Sequence, residues 1–264
     1  MSVDVAYAAG RATQQSWQPA DGGLRNPLDP ERRIHAVLFD LDGTLYRQAP
    51  LRAIMGLELL ALPLLFNPWR APRHWRALGA YRRAQEQLRA AASDGAETLG
   101  RAQLIAAGRT ANMPLPELET LVNEWMFHRP LKYLRLLRAP GLASLLEWLA
   151  ACGIRTGVLS DYPAAAKLTA LQLADHFSLV LSSADPDIGR LKPHPRGFLR
   201  ACDRWRLHPR DVLVVGDRPD VDAAGAAAAG MPCVIIRRTR ADASSTYLRV
   251  SSFKRLHRVL ERGR

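Results

Sequence analysis

The sequence predicts an α/β protein in which helices cover both faces of a parallel sheet, with a large helical insertion after the first strand. Two observations support this prediction. Short apolar runs alternate with helical patterns in the second half of the chain, which is typical of parallel sheets buried on both faces. The alternation is interrupted by residues 47–140, which show helical periods and almost no strand character.

Each predicted strand is a short apolar run, as expected of strands that lie inside a sheet. The runs are residues 35–39, 154–159, 177–182, 212–215 and 233–236. Amphipathic helical patterns separate or follow the later strands. They cover residues 164–174, 196–205, 221–229 and 252–261.

The chain divides into three predicted regions. Residues 1–33 have no sustained apolar period and are expected to be a poorly ordered lead-in. Residues 34–46 and 141–264 form the sheet domain, and residues 47–140 form a helical cap over its crevice. The helical periods of the insertion are residues 51–66, 72–92, 97–109 and 116–128, and a further period at 142–151 returns the chain to the sheet domain.

Asp40 and Asp42 directly follow the first predicted strand. Alternate residues of an extended segment share a face, so both carboxylates can point the same way. Gly43 then allows a backbone conformation that residues with a Cβ rarely adopt. Like charges this close repel unless a cation or a shared proton compensates. Taken alone the pair also fits a turn that caps a helix, but the energetic cost of two carboxylates so close together indicates a chemical site.

Three more polar side chains are predicted at the same edge of the sheet. Ser160 ends the second strand, Asp217 follows the fourth, and Lys192 lies on a proline-containing loop before a helix. The carboxyl ends of parallel strands border the ligand crevice of such folds. Clustered carboxylates suit a hard cation such as Mg²⁺, and a hydroxyl with an ammonium suits a phosphate group. Each residue alone has an ordinary structural explanation, and their conjunction indicates phosphate chemistry.

These four motifs, in this order and spacing, resemble those of the haloacid dehalogenase-like (HAD) superfamily of phosphohydrolases. The resemblance covers residues 34–46 and 141–240. It implies a Rossmann-like three-layer core, with a helical cap inserted between the first and second motifs.

The resemblance also implies roles for individual residues. Asp40 would be the nucleophile that forms an aspartyl-phosphate, and Asp42 would protonate the leaving oxygen and then activate water. Ser160 and Lys192 would bind the phosphoryl oxygens, and Thr44 would belong to the phosphate-binding loop.

The cofactor implied by the resemblance is Mg²⁺. Its ligands would be Asp40, the backbone carbonyl of Asp42, and Asp217. The family places a second acidic residue four or five positions after the one at 217. That spacing selects Asp222, because position 221 is valine, and leaves Asp220 as the weaker candidate.

Within this resemblance, Asp42 favours hydrolysis of a small phosphate monoester, because the dehalogenases of the family lack the second aspartate. A phosphomutase would use the same residues, and a phosphatase for a lipid-linked phosphate is another alternative. A non-catalytic scaffold is disfavoured, since all core motif residues are present.

Charge and composition limit the partners. The net charge is +12, which suits an anionic substrate as well as solvated helix faces in an arginine-rich chain. No nucleic-acid-binding module is recognisable, so no nucleic-acid partner is expected.

The apolar segment 57–66 is interpreted as a buried cap helix or a dimer contact, and peripheral membrane contact is the weaker alternative. Scattered cysteines and the lack of a signal-peptide pattern predict a cytoplasmic protein, whose oligomeric state stays open.

Overall fold

The computed structural model describes residues 23–66, 71–91, 98–237 and 246–263, with the backbone alone at 62–66 and at Ala71. Residues 1–22 of the expected lead-in lie outside this part of the chain, so poor order there stays a prediction. No helix within the described residues is long and apolar enough to cross a membrane.

Six parallel strands form the central sheet, in the order β5-β4-β3-β6-β7-β8, and two further strands form an antiparallel hairpin. The strands are β1 Leu24–Asn26, β2 Asp29–Ile34, β3 Ala36–Phe39, β4 Arg155–Ser160, β5 Leu179–Ser182, β6 Val212–Gly216, β7 Cys233–Ile236 and β8 Leu248–Val250. The chain runs from β3 towards one edge of the sheet and then returns to β6 on the other side of β3. This reversal places a crevice at the carboxyl end of β3.

The helices occupy the positions that the apolar periods predict, with one addition at α5. They are α1 Gln48–Phe66, α2 Ala71–Ala91, α3 Leu99–Ala111, α4 Leu115–Val122, α5 Leu131–Leu137, α6 Leu142–Ala151, α7 Ala165–Leu171, α8 Arg196–Trp205, α9 Ala224–Ala228 and α10 Phe253–Glu261. Wider π-helical turns extend α4 through Asn123–His128 and precede α9 at Pro219–Ala223. The predicted α/β class is confirmed.

The expectation of a poorly ordered lead-in is wrong for residues 24–33, which with Ile34 form the β1–β2 hairpin. Leu24 pairs with Ile34 across the hairpin, and both side chains are buried in the apolar core on one face of the sheet, with Val37 and Phe39 of β3. At the turn, the Asn26 side chain accepts a hydrogen bond of 2.9 Å from the backbone N–H of Leu28. Only a few side chains of the hairpin are buried. They are too few to produce a recognisable alternation of apolar and polar residues in the sequence. Strand β8 was likewise not predicted, because it has only three residues.

The two faces of the sheet are covered by separate sets of apolar side chains. Alternate residues of β3 explain the division, because Val37 and Phe39 pack on one face and Ala36 and Leu38 on the other. Helices α6 and α10 cover the first face, and α8 and α9 cover the second. Burial on both faces accounts for the continuous apolar run before Asp40.

The inserted helices have an apolar cluster of their own, formed mainly by α2, α3 and α4. Helix α1 adds Leu59 to this cluster, but its Leu51 and Met55, with Leu134 of α5, belong to the core on the face of the sheet that carries Phe39. The limits of the cap at 47 and 140 stay a prediction.

The interpretation of segment 57–66 as a buried cap helix is wrong for two of its leucines, and the alternative of a dimer contact stays a prediction. Leu59 is buried in the cap, but Leu57 is 68% exposed and Leu60 is 50% exposed. A single helix can bury only one face against its neighbours, and these two residues lie outside that face. The side chains of 62–66 lie outside the described residues.

We expect Gly157→Ala to destabilise the protein. A Cβ at this position of β4 would lie 2.6 Å from the Trp205 ring and 3.1 Å from the Leu179 carbonyl oxygen. Overpacking of this kind costs about 1–3 kcal/mol. The free energy of unfolding from urea denaturation measures the loss. Gly100→Ala is the matched control, because a Cβ there meets no atom within 4 Å, and it should leave stability unchanged or slightly higher. Equal stability of the two variants would contradict the packing described for β4.

Candidate active site

The first aspartate stands at the carboxyl end of β3, where the sheet holds its backbone. The backbone N–H of Asp40 donates to the Val215 carbonyl of β6 at 2.8 Å. Gly43 follows with φ +104°, and a Cβ there would lie 2.5 Å from Asp217 Oδ2. Glycine is therefore required at position 43 both by the backbone angle and by the close approach of the Asp217 carboxylate.

The Asp40 carboxylate is buried and receives hydrogen bonds on both oxygens. Lys192 Nζ donates to Oδ1, and Thr44 Oγ1 donates to Oδ2 at 2.8 Å. Burial raises the pKa of Asp40 to about 8, because the opposing effect of Lys192 does not outweigh it and Asp222 and Asp217 add to it. The structure thus brings together the predicted nucleophile and two of the predicted phosphate-binding residues.

Three acidic side chains converge at this point. Carboxylate oxygens of Asp40, Asp217 and Asp222 all lie within 4.8 Å of one another. Asp222 is fixed there by Lys192 Nζ at 2.8 Å and by the backbone N–H groups of Asp217 and Arg218 at 3.3 and 3.1 Å. Burial, with the Asp222 charge, raises the pKa of Asp217 to about 6. A compact set of carboxylate oxygens, with raised pKa values at Asp40 and Asp217, has the chemistry that a hard cation such as Mg²⁺ fits.

Asp220, the weaker candidate for supporting the metal, lies outside this cluster. Its carboxylate is paired with Arg218 Nη2 at 2.6 Å and is 66% exposed. The pKa of Asp220 is lowered by this hydrogen bond. Arg218 therefore holds Asp220 at the surface, whereas Asp222 points to the carboxylates.

Asp42 has different partners from Asp40, and the sequence did not predict them. Lys167 Nζ donates to both carboxylate oxygens, at 2.5 and 2.8 Å, and the Tyr46 hydroxyl also donates to Oδ1. Burial alone would raise the pKa of Asp42, but Lys167 outweighs it, and the net shift is downward. Lys167 belongs to α7, and its rarity as a lysine in an arginine-rich chain was the available sequence signal.

The predicted phosphate contact Ser160 ends β4 and is almost fully buried. Its Oγ accepts a hydrogen bond of 3.2 Å from the Tyr162 backbone N–H. The next residue, Asp161, accepts from the Lys192 backbone N–H at 3.1 Å and from the Ser183 hydroxyl at 2.8 Å. Asp161 therefore ties the Ser160 strand end to the loop that carries Lys192.

A cleft of about 360 Å³ lies between the inserted helices and the carboxyl ends of the strands. Asp40, Asp42 and Lys192 line its sheet side. Arg52 of α1 and Arg82 of α2 line its helical side. The arrangement offers a buried carboxylate beside an ammonium group, a second carboxylate with its own cation, and positive charge on both walls.

Arg89, which also lines this cleft, joins the helical cap to the sheet domain. From the last turn of α2 it donates to Asp161 Oδ2 at 2.9 Å and to the Lys192 carbonyl, and its side chain is only 9% exposed. The cation also pairs with Glu86 at 3.0 Å, and Glu86 in turn meets Arg218 at 3.2 Å. The cap therefore contacts both loops that carry the predicted phosphate ligands.

Comparison with known proteins places the chain in a family. A family model of haloacid dehalogenase-like hydrolases matches residues 34–230. The chain is 30% identical to the phosphoglycolate phosphatase of Yersinia pseudotuberculosis over 213 residues, which cover 77% of this chain and 81% of that protein. The identity to the phosphoglycolate phosphatase of Escherichia coli K12 is also 30%, over 76% of this chain and 80% of that protein.

Among solved structures, the 2-haloacid dehalogenase of Pseudomonas syringae pv. tomato DC3000 is similar, with a TM-score of 0.60 and 27% identity. The match covers 87% of this chain and 99% of that one. The chain belongs to the haloacid dehalogenase-like hydrolases, with the Rossmann-like core that the motifs predict. The curated relatives that it matches are phosphatases.

We expect Arg89→Ala to lower kcat/KM about tenfold with an aryl phosphate, because it removes charge-assisted hydrogen bonds to the loops of Asp161 and Lys192. The matched control is Arg73→Ala. Arg73 also lies on α2 and forms an ion pair, but its partner Glu117 is exposed and within the cap, so the change should have little effect. Steady-state kinetics of both variants provide the measurement. A similar loss in both would show that Arg89 has no particular role at the cleft.

Proposed function

We propose that the protein is a magnesium-dependent phosphatase that hydrolyses a small phosphate monoester through an aspartyl-phosphate on Asp40. The observation that carries this proposal is the division between the two aspartates. Asp40 belongs to the cluster of carboxylates and accepts a hydrogen bond from Lys192, whereas Asp42 is paired with Lys167 and Tyr46. Two carboxylates in such different surroundings suit two different tasks.

In the first step, an oxygen of Asp40 attacks the phosphorus atom, and the bond between phosphorus and the leaving oxygen breaks. The leaving oxygen takes a proton from Asp42, so an alcohol departs and the phosphoryl group stays on Asp40. In the second step, Asp42 takes a proton from water, and the hydroxide attacks the same phosphorus atom. Inorganic phosphate is released, Asp40 is regenerated, and Asp42 is protonated for the next cycle.

Lys192 is suited to stabilise charge on the phosphoryl oxygens, because its ammonium already lies against Asp40. Thr44 orients the nucleophile through its hydrogen bond of 2.8 Å, and Ser160 is proposed as a further phosphoryl ligand at the end of β4. Lys167 favours the ionised form of Asp42, which is the form that accepts a proton from water.

Asp40, the backbone carbonyl of Asp42, and Asp217 would hold Mg²⁺, with Asp222 positioned behind them by Lys192 and two backbone N–H groups. When bound, the ion supplies positive charge that offsets the phosphate and the carboxylates. The donor set supports this assignment, because carboxylates this close need a compensating cation.

The relatives favour a small substrate. Their names specify phosphoglycolate, and we propose phosphoglycolate as the first compound to test on this chain. A cleft of about 360 Å³ suits a ligand of this size better than a long one. The phosphomutase alternative is not favoured, because the relatives at 30% identity are phosphatases, and the lipid-linked alternative is not favoured, because the substrate in their names is the small molecule phosphoglycolate.

We expect Asp40→Asn to abolish release of phosphate from every monoester, since the nucleophile is lost. Asp42→Asn should instead act selectively. Hydrolysis of an alkyl phosphate should fall by about 10²–10⁴, because its leaving oxygen needs a proton, and hydrolysis of an aryl phosphate should fall less. Phosphate release with both substrates is the measurement, with Asp220→Asn as the control because Asp220 lies outside the cluster. Equal losses on the two substrates would contradict the role of Asp42 as the acid.

We expect Mg²⁺ to stabilise the protein more at about pH 8 than at about pH 5.5. The folded-state pKa values of Asp40 and Asp217 are raised, to about 8 and about 6, from an ordinary value of 3.8. Their ionisation therefore destabilises the metal-free protein as pH rises through this range. A cation binds the ionised forms and offsets that cost.

Thermal unfolding with and without Mg²⁺ at the two pH values measures this difference. Asp217→Asn should remove most of the Mg²⁺-dependent shift in Tm, and the control Asp220→Asn should retain it. A shift that is independent of pH, or one that persists in Asp217→Asn, would argue against the proposed ligands.

A further inference from the structure

Two arginines on the helical side of the cleft have no acidic partner among the described residues. Arg52 of α1 and Arg82 of α2 both line the cleft and both keep exposed surface. The one hydrogen bond of Arg82 within that part of the chain is to the Met126 sulfur at 3.6 Å. By contrast, Arg89 on the same helix has carboxylate partners on both sides. The two guanidinium groups are thus available to a ligand.

These arginines lie at the same end of the cleft as Asp42. The Arg52 charge acts on the Tyr46 hydroxyl, and Tyr46 donates to Asp42. Tyr46 and Tyr162 are also close enough to Arg82 to oppose the lowering of its pKa. In the proposed reaction Asp42 donates a proton to the leaving oxygen, so the remainder of the substrate lies at this end and the transferred phosphoryl group lies at Asp40 and Lys192.

The two guanidinium groups are close enough for the charge of Arg52 to act on Arg82. Burial in the cleft and the nearby charge of Arg52 both lower the pKa of Arg82. Like charges from two separate helices, neither of them paired with a carboxylate within the described residues, favour the binding of an anion there. Carboxylate and phosphate groups are the anions whose geometry matches the planar fork of donors on arginine.

We propose that Arg52 and Arg82 bind a second anionic group, a carboxylate or a second phosphate, on the leaving portion of the substrate. This inference rests on the proposed phosphatase function and specifies its substrate class. The size of the cleft limits that class to small phosphate monoesters that carry a further anion near the ester oxygen. Arg52 and Arg82 are then the residues that determine specificity.

Three compounds of similar size test the proposal. Phosphoglycolate carries a carboxylate, ethane-1,2-diol bisphosphate carries a second phosphate, and ethane-1,2-diol monophosphate carries a neutral hydroxyl. We expect kcat/KM to be at least about tenfold higher for one of the anionic compounds than for the neutral one, since charge-assisted hydrogen bonds contribute that much. Whichever anionic compound is preferred identifies the second group.

Arg82→Gln and Arg52→Gln should each reduce this ratio by about tenfold, and Arg82→Lys should reduce it less because it keeps the charge. The matched control is Arg83→Gln, because Arg83 is exposed on α2 beside Arg82 and does not line the cleft. It should keep the wild-type ratio. A ratio that Arg82→Gln leaves unchanged, or an equal loss with all three compounds, would overturn the proposal. Equal loss would indicate that the arginines bind the transferred phosphoryl group or stabilise the fold.

An aryl phosphate assayed in parallel separates failure of this inference from failure of the proposed function. If the wild-type protein hydrolyses the aryl and neutral compounds at least as well as the anionic ones, the phosphatase stands and the anion subsite is refuted. If it hydrolyses no monoester in the presence of Mg²⁺, the proposed function fails, and the subsite that rests on it fails as well.

Discussion

The Lys192 ammonium is the interaction on which the site depends. It lies between Asp40, at the end of β3, and Asp222, which follows β6, and so allows two carboxylates to be buried side by side. Burial disfavours the charge of Lys192, but Asp222, Asp40 and Asp161 outweigh this effect and raise its pKa. The loop of Lys192 is fixed through its backbone as well, because Asp161 binds its N–H and Arg89 binds its carbonyl.

Two aspartates only two residues apart acquire opposite properties in this structure. Burial and acidic neighbours raise the pKa of Asp40, whereas Lys167 lowers that of Asp42 despite its burial. The strand supplies only their common direction, since alternate residues share a face. Helix α7, which follows a different strand, supplies the ammonium that separates their chemistry. The pKa of the second carboxylate, which transfers protons in the proposed reaction, is thus lowered by a residue that no motif includes.

The sequence predicted what is local and periodic. Short apolar runs located the sheet, and polar residues at their ends located the positions of Asp40, Lys192 and Asp217. It did not predict contacts between distant segments, such as Lys167 with Asp42 across 125 positions or Arg89 with Asp161 across 72. Such pairs have no period, because they depend on how the helices pack onto the sheet. The exposure of Leu57 was missed for the same reason.

Tyr162 belongs to the sheet domain but packs inside the cap. Its ring stacks on Tyr81, and its hydroxyl bonds with Gln85 at 2.8 Å and Gln103 at 3.1 Å. The same residue is two positions from Ser160, so the helices of the cap pack around the segment that continues directly from β4. The cap of this enzyme is consequently not an interchangeable module. A chimera that takes its cap from a relative must take the segment around Tyr162 with it, because cap packing and the end of β4 are encoded by the same few residues.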